Sequence, residues 1–102
     1  MPEDSTGPVR IAIAGYGWWG QHMVRRLRDN GSITPVLVIE PSDERRALVA
    51  EHGVNAVAAL EDALTDETIE AVVLTTPNTM HEEQVVATAA AGKHVFLSLI
   101  HI

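Results

Sequence analysis

The stretch VRIAIAGYGWWGQHMVRRLRDN, residues 9–30, decides the fold of this chain. An apolar run leads into three glycines with the spacing GxGxxG, and helical periodicity follows, so the stretch predicts a strand, a tight turn and a helix. Gly15 permits the turn, Gly17 lets backbone approach a pyrophosphate, and Gly20 lets the helix pack against the sheet. A dinucleotide pyrophosphate would then lie on the exposed N–H groups of the helix.

A carboxylate follows at the spacing that a dinucleotide site requires. Glu40 ends the second apolar run, twenty positions after Gly20, where an acid can bind the adenosine ribose hydroxyls. Its charge would repel the 2'-phosphate of NADP, so the sequence favours NAD. Arg45 and Arg46 leave NADP possible if either folds over the ribose, whereas a solvated helix face is their ordinary explanation. The alternative for Glu40 itself is a solvated acid at a strand end.

Composition limits the class of protein. The chain has 102 residues, enough for one domain, and its net charge of −7 disfavours nucleic acid as a partner. It contains no cysteine, which suits a reducing compartment. Residues 1–8 read as a disordered lead-in without a signal peptide, and no apolar run approaches the roughly 18 residues of a membrane span. We expect a cytoplasmic protein that does not act at a membrane.

Short apolar runs alternate with amphipathic segments along the chain. This alternation predicts an α/β fold, a Rossmann-type doubly wound parallel sheet truncated after about five strands, with one short helix at 60–64. The predicted strands are 9–14, 35–39, 54–58, 71–75 and 94–97. Ser42 or Asp43 would cap the helix that follows the second strand, and Thr79 with Glu82 would form a capping box for the last helix.

Four segments together resemble the glucose-fructose oxidoreductase and inositol dehydrogenase family, known as Gfo/Idh/MocA, over residues 9–96. They are AGYGWWG, VLVIEPSDERR, TTPNTMH and AAAGKHVF. The resemblance implies an NAD(P)-binding half of an oxidoreductase that transfers a hydride between nicotinamide and a sugar, polyol or related hydroxyl carbon. It also implies a C-terminal substrate domain, absent from this chain, and a homo-oligomeric parent protein that binds a small-molecule substrate.

The family carries Glu-Lys-Pro directly after the fifth strand, where this chain has Ser98, Leu99 and Ile100. Leucine can neither donate a hydrogen bond to an alkoxide nor lower the pKa of the reacting hydroxyl. We therefore expect the 102-residue chain to be inactive and assign no catalytic residue.

Residues 97–102, LSLIHI, resemble the translation of a transposase adapter used for sequencing libraries, which predicts a non-native tail. The alternative is a genuine continuation of the strand.

Lys93, the only lysine, precedes the fifth strand and so lies at the amino end of the sheet, whereas ligands bind at the carboxyl ends of the strands. We therefore interpret Lys93 as a solubilising charge.

Aromatic residues accompany the glycines. Trp18 and Trp19 begin the first helix. One indole could line the pyrophosphate or nicotinamide site, while the other fills the space beside the sheet. Tyr16 is expected to pack or to face solvent, with its backbone N–H near phosphate.

The turn after the fourth strand completes the predicted site. Thr75 and Thr76 finish that strand on the ligand-binding side of the sheet, and Pro77 fixes the turn so that Asn78 faces the crevice. By resemblance, this loop lines the path from adenine to nicotinamide. His81 lies near cofactor or substrate, or else is a capping or partly exposed histidine, and the histidine spacings predict no metal site.

The same features admit a rival function. A non-catalytic regulatory or sensor module could bind a dinucleotide through the same loop without a reaction, and a sugar-nucleotide or adenylate binder is a weaker possibility.

Overall fold

Strands and helices alternate strictly through the computed structural model, which describes residues 8–27, 31–75 and 78–97. The side chains of residues 18, 19 and 78–81 lie outside this description. The elements run in the order β1 (Val9–Ala14), α1 (Trp18–Leu27), β2 (Ile33–Ile39), α2 (Asp43–Glu51), β3 (Asn55–Val57), α3 (Leu60–Leu64), β4 (Ala71–Leu74), α4 (Asn78–Ala90) and β5 (His94–Leu97).

The five strands form one parallel sheet in the order β3-β2-β1-β4-β5. This order confirms the predicted doubly wound α/β fold. The chain moves outward in one direction from β1 through β2 to β3, and then returns to the other side of β1 with β4. A crevice opens at such a reversal, outside the carboxyl ends of the strands, and ligands bind there in this class of sheet.

The sheet carries a separate apolar core on each face. Helices α1 and α2 contribute Val24 and Val49 to the core that contains Ile13, whereas α3 contributes Ala63 to the opposite core. Burial on both faces explains why β1 and β4 consist almost entirely of apolar residues. The edge strand β5 is the exception, because it is mostly exposed.

Strand β2 begins earlier than predicted. The sequence places its start at Pro35, whereas the structure begins it at Ile33. Proline lacks the N–H that a regular ladder needs, but here the register between β1 and β2 shifts, with Ile11 opposite Pro35 and Ala12 opposite Leu37. Prolines are tolerated at such irregularities, so Pro35 lies within the strand.

The helix ends give one confirmation and one correction. Ser42 is the N-cap of α2, and its Oγ accepts a hydrogen bond from the Arg45 N–H at 3.3 Å. Helix α4 begins at Asn78, so Thr79 lies inside the helix. An N-cap residue must have non-helical backbone, so the predicted capping box of Thr79 with Glu82 is wrong. The short helix α3 has the predicted bounds.

Candidate functional site

The glycine loop makes a tight turn at the carboxyl end of β1. Gly15 has φ of 100°, a conformation that disfavours any side chain, and its N–H donates to the Ile39 carbonyl at 2.7 Å. A Cβ added at Gly20 would overlap the Gly15 carbonyl oxygen and come within 2.9 Å of its carbon. The first and third glycines therefore serve the turn and the close packing of α1, as predicted.

Gly17 differs from the other two glycines of the motif. A Cβ built at Gly17 has no atom within 4 Å, so the fold itself does not require glycine there. The open space beside Gly17 belongs to the main cavity of the described chain, which has a volume of about 600 Å³. Backbone at this position is thus accessible to a ligand without an intervening side chain.

Thr75 fastens the glycine loop to the neighbouring strand. Its N–H donates to the Ala14 carbonyl at 3.0 Å, and its hydroxyl donates to the same carbonyl at 2.7 Å and to that of Gly15 at 3.3 Å. The sequence identified Thr75 only as a strand end. Its position directly after an apolar run, opposite the glycine loop, is the signal that could have indicated this contact.

Glu40 is a buried carboxylate in the lining of the cavity. It is 3% exposed, so it is not a solvated acid. Its Oε1 accepts the Tyr16 N–H at 2.8 Å and its Oε2 accepts the Ser42 N–H at 2.9 Å. A carboxylate can accept about four hydrogen bonds, so each oxygen retains acceptor capacity. Such a group is suited to bind hydroxyls.

The two arginines of α2 have different surroundings. Arg45 lines the cavity, and its Nη1 lies 3.9 Å from Glu40 Oε1, with 55% of the side chain exposed. Arg46 donates to the Glu40 carbonyl at 2.8 Å and pairs with Asp43. Arg46 is thus held at the start of α2, and Arg45 is the cation next to the carboxylate.

Tyr16 is fully buried, so it packs in the core and does not face solvent. Its N–H donates to Glu40 Oε1 at 2.8 Å, whereas the sequence predicts that this N–H lies near phosphate. The difference arises because Glu40 directly follows the adjacent strand β2, with its carboxylate beside the Tyr16 amide. The Tyr16 hydroxyl lies 2.5 Å from Nδ1 of His52, and Gln21 Nε2 donates to the Tyr16 carbonyl at 3.1 Å.

The opposite wall of the cavity comes from elements that the sequence did not assign to the site. Leu60 of α3 and Glu83, Gln84 and Ala87 of α4 line it, with Pro41 and Ala58 nearer β2 and β3. The signal for these residues is weak, because they follow from the packing of α3 and α4 across the sheet and not from a local motif.

Several predicted positions fall partly or wholly outside the described residues. Trp18 and Trp19 open α1, and Asn78 and His81 lie at the start of α4, but their side chains are outside the description. Thr76 and Pro77 are outside it entirely. The structure brings together Gly15, Tyr16, Gly17 and Glu40, while Gly20 packs beneath the loop.

Lys93 lies at the amino end of the sheet, away from this cavity. Its Nζ donates to the carbonyls of Asp66 and Ile69, both at 2.8 Å. Lys93 therefore binds backbone carbonyls of the loop between α3 and β4. The prediction that Lys93 is a solubilising charge is wrong.

Among residues 8–27, 31–75 and 78–97, three or more metal-ligating side chains do not cluster anywhere in an arrangement that could hold an ion. None of the helices in this same part of the chain has the length and apolar character to cross a membrane.

Comparison with known proteins places these features in a family. Residues 9–98 match the model of GFO_IDH_MocA, described as an oxidoreductase family with an NAD-binding Rossmann fold. An inositol 2-dehydrogenase of Leifsonia xyli is 37% identical over 90 residues, which are 86% of this chain and 26% of that protein.

Two solved structures share the fold. An NAD-binding protein from Listeria innocua superimposes with a TM-score of 0.82 at 30% identity, covering 87% of this chain and 26% of that one. Biliverdin reductase from Synechocystis, solved with biliverdin and NADP⁺, gives a TM-score of 0.85 at 29% identity, covering 91% of this chain and 30% of that one. The chain spans 24 to 28% of the length of the first curated relatives it matches.

Proposed function

Because this chain belongs to the Gfo/Idh/MocA family of NAD-binding oxidoreductases, we propose that it is the NAD(P)-binding domain of an enzyme acting on a sugar, polyol or related hydroxyl-bearing carbon. The observation that carries the proposal is the buried carboxylate of Glu40, held by two backbone N–H groups at the edge of the cavity beside the glycine loop. This arrangement suits the hydroxyls of an adenosine ribose.

The residues present fit a dinucleotide. The space that a Gly17 side chain would occupy is empty, so a pyrophosphate could approach the backbone there. Glu40 retains acceptor capacity for ribose hydroxyls. Ile39 and Leu60 give the cavity apolar walls suited to an adenine ring. The dinucleotide supplies the hydride chemistry when bound, and this domain binds and orients it.

NAD is the preferred cofactor in this proposal. A 2'-phosphate placed next to the Glu40 carboxylate would meet a buried negative charge, which disfavours NADP. Arg45, 3.9 Å from that carboxylate, offsets part of the repulsion. We therefore expect weaker but measurable NADP binding.

The rest of the reaction belongs to parts of the protein beyond these residues. We assign residues 9–96 to the cofactor domain, 1–8 to a lead-in and 97–102 to a non-native tail, with substrate recognition and subunit contacts in a further domain. Leu99 stands at the position of the family lysine, so the 102-residue chain would bind cofactor without turnover. We place the protein in the cytoplasm.

Calorimetric titration of the full chain with NAD and NADP tests the proposal. We expect Glu40→Ala to weaken NAD binding roughly 10- to 100-fold, because hydrogen bonds to a charged group are lost. Glu44→Ala, an exposed acid in the first turn of α2, is the matched control and should bind as wild type.

Circular dichroism separates binding from folding in this experiment, and Glu40→Gln, which keeps one acceptor oxygen, provides an intermediate. If the folded wild-type chain binds neither dinucleotide, the proposed function is wrong. If Glu40→Ala and Glu44→Ala bind NAD equally, the role of Glu40 is wrong.

A further inference from the structure

The Tyr16 side chain connects the glycine loop to the far end of α2. Tyr16 is 0% exposed, and its hydroxyl lies 2.5 Å from Nδ1 of His52, the C-cap residue of α2. The two rings are tilted, with centroids 5.9 Å apart. A buried hydroxyl without a partner would be destabilising, so this hydrogen bond fixes where the tyrosine can lie.

The backbone of the same residue holds the ribose-binding acid. The Tyr16 N–H donates to Glu40 Oε1, while the N–H of Ser42, the N-cap of α2, donates to Oε2. Glu40 is thus held between the glycine loop and the start of α2, and the Tyr16 to His52 hydrogen bond joins the same loop to the end of that helix. These hydrogen bonds connect the glycine loop to both ends of α2, with the Glu40 carboxylate at one of the connections.

The flanking glycines explain why such an anchor matters. Tyr16 lies between Gly15, which has positive φ, and Gly17, whose surroundings are open, so the chain on both sides has more conformational freedom than ordinary residues allow. Rotation of the Tyr16 peptide would withdraw its N–H from Glu40. The hydroxyl contact restrains the residue from the opposite end of its side chain.

We propose that Tyr16 and His52 are positioning residues, which orient Glu40 through the Tyr16 amide and so set how strongly the site recognises the adenosine ribose hydroxyls. This inference rests on the proposed function. It assigns a role in binding to His52, a residue at the C-terminal end of α2 that does not line the main cavity.

The role can be separated from core packing. Tyr16 belongs to the same buried core cluster as Val24 and Val49, and Tyr16→Phe keeps the ring in that cluster while removing the hydroxyl. A smaller cavity of about 290 Å³ is lined in part by Tyr16, Gln21 and His52. Water can enter a polar space of this size and hydrate the imidazole in the variant, so Tyr16→Phe should fold.

The test compares NAD with an analogue lacking the 2'-hydroxyl of the adenosine ribose, titrated into the full chain. We expect wild type to prefer NAD roughly tenfold, as suits a hydrogen bond to a charged group. Tyr16→Phe and His52→Leu should each reduce the preference to below about threefold. His52→Asn, whose amide can replace Nδ1, should restore most of it. His94→Leu, an exposed histidine of β5, is the control and should keep the wild-type preference.

Each outcome decides a different point. If wild type shows no NAD binding, the proposed function fails, and the inference with it. If wild type discriminates but Tyr16→Phe keeps the full preference, or weakens both ligands by the same factor, the positioning role is wrong while the proposed function stands. In a Glu40→Ala background, Tyr16→Phe should change neither affinity further, and an additional loss of NAD preference there would also overturn the inference.

Discussion

Gly17 and Gly20 lie three positions apart in one motif, yet the protein uses them for different purposes. A Cβ at Gly20 meets the backbone of Gly15, which cannot move aside, whereas a Cβ at Gly17 enters open space. We expect Gly20→Ala to lower the free energy of unfolding by about 1–3 kcal/mol through overpacking. Gly17→Ala should change it by less than about 0.5 kcal/mol. Urea denaturation measures both.

The Gly17→Ala variant should also differ from wild type in its affinity for NAD. Gly17→Ala places a methyl group where a pyrophosphate would approach the backbone, so it should weaken NAD binding in a chain that folds normally. Equal stability losses in both variants would contradict the presence of open space beside Gly17. Normal NAD affinity in Gly17→Ala would place the phosphate elsewhere.

Arg45 is the residue on which the choice between NAD and NADP should depend. Its guanidinium lies beside Glu40 and is partly exposed, so its contribution is partly screened by solvent. We expect Arg45→Ala to weaken NADP binding about fivefold with little change for NAD, as measured by calorimetry. Arg46→Ala is the contrast, because that side chain is engaged with the Glu40 carbonyl and Asp43. If both variants left the NADP to NAD ratio unchanged, neither arginine would face the ribose.

At this scale, sequence spacing predicted the residues whose roles are local. The turn at Gly15 and the close packing at Gly20 follow from one motif. The contact between Tyr16 and His52 could not be predicted, because it joins residues 36 positions apart and depends on how α2 packs on the sheet. The carbonyl contacts of Lys93 were missed for the same reason.

Among the elements, the loop between α3 and β4 depends on Lys93. Its ammonium donates to two backbone carbonyls and is only partly buried. We expect Lys93→Met, which keeps much of the alkyl chain, to lower the free energy of unfolding by about 1–2 kcal/mol. Arg26→Met, at an exposed position of α1, should change it by less than about 0.5 kcal/mol. Equal effects in chemical denaturation would contradict the assigned contacts.

The same loop carries an acid whose ionised form is stabilised. The Thr68 hydroxyl and then its N–H donate to Asp66, and these hydrogen bonds lower the pKa of Asp66 below its ordinary value of 3.8. A lowered pKa in the folded state stabilises the fold above pH 3.8, and this contribution is lost as the pH falls through the folded-state pKa.

Thr68→Val removes the hydroxyl contact and should therefore raise the pKa of Asp66 toward its ordinary value. A carboxyl NMR titration measures the shift. The stability difference between wild type and Thr68→Val should also shrink at acid pH. An unchanged titration of Asp66 in Thr68→Val would show that the hydroxyl does not stabilise the carboxylate.

The bounds of a helix or strand were predictable where a single hydropathy pattern marked both of its ends. The bounds of β1, α3 and β5 match those from hydropathy, because apolar runs and turn residues coincide there. The start of β2 was wrong because Pro35 reads as a boundary in the sequence, while the register shift beside it accommodates proline inside the strand. The capping box of α4 was wrong because a single threonine was compatible with more than one helix start.

Over the whole molecule, apolar surface is concentrated at one edge of the described sheet. Phe96 and Leu97 of β5 are 58% and 46% exposed, and Val86 of α4 is 63% exposed. Exposed apolar edge strands pair with other chains. We expect the 102-residue chain to self-associate, and Phe96→Lys to shift it toward monomer in size-exclusion chromatography with light scattering. Ala90→Lys adds the same charge on α4 and should not, so equal shifts would indicate a general charge effect.

The order of the strands explains why the site lies where it does. The reversal at β1 brings the glycine loop, the end of β2 with Glu40 and the end of β4 with Thr75 around one cavity. The alternation of strands and helices predicted a doubly wound parallel sheet, whereas the order of its strands comes from the structure. The wall formed by α3 and α4 was not predictable, because it requires tertiary packing.

Backbone amide NMR during titration of the full chain with NAD tests the central claim most directly, because it locates the ligand residue by residue. We predict that the shifts concentrate at the carboxyl ends of the strands, on the amides of Gly15, Gly17, Ser42 and Thr75, and leave Glu70 and His94 at the amino end unchanged. Shifts centred on the amino end of the sheet, or none at saturating NAD in a folded chain, would contradict the account.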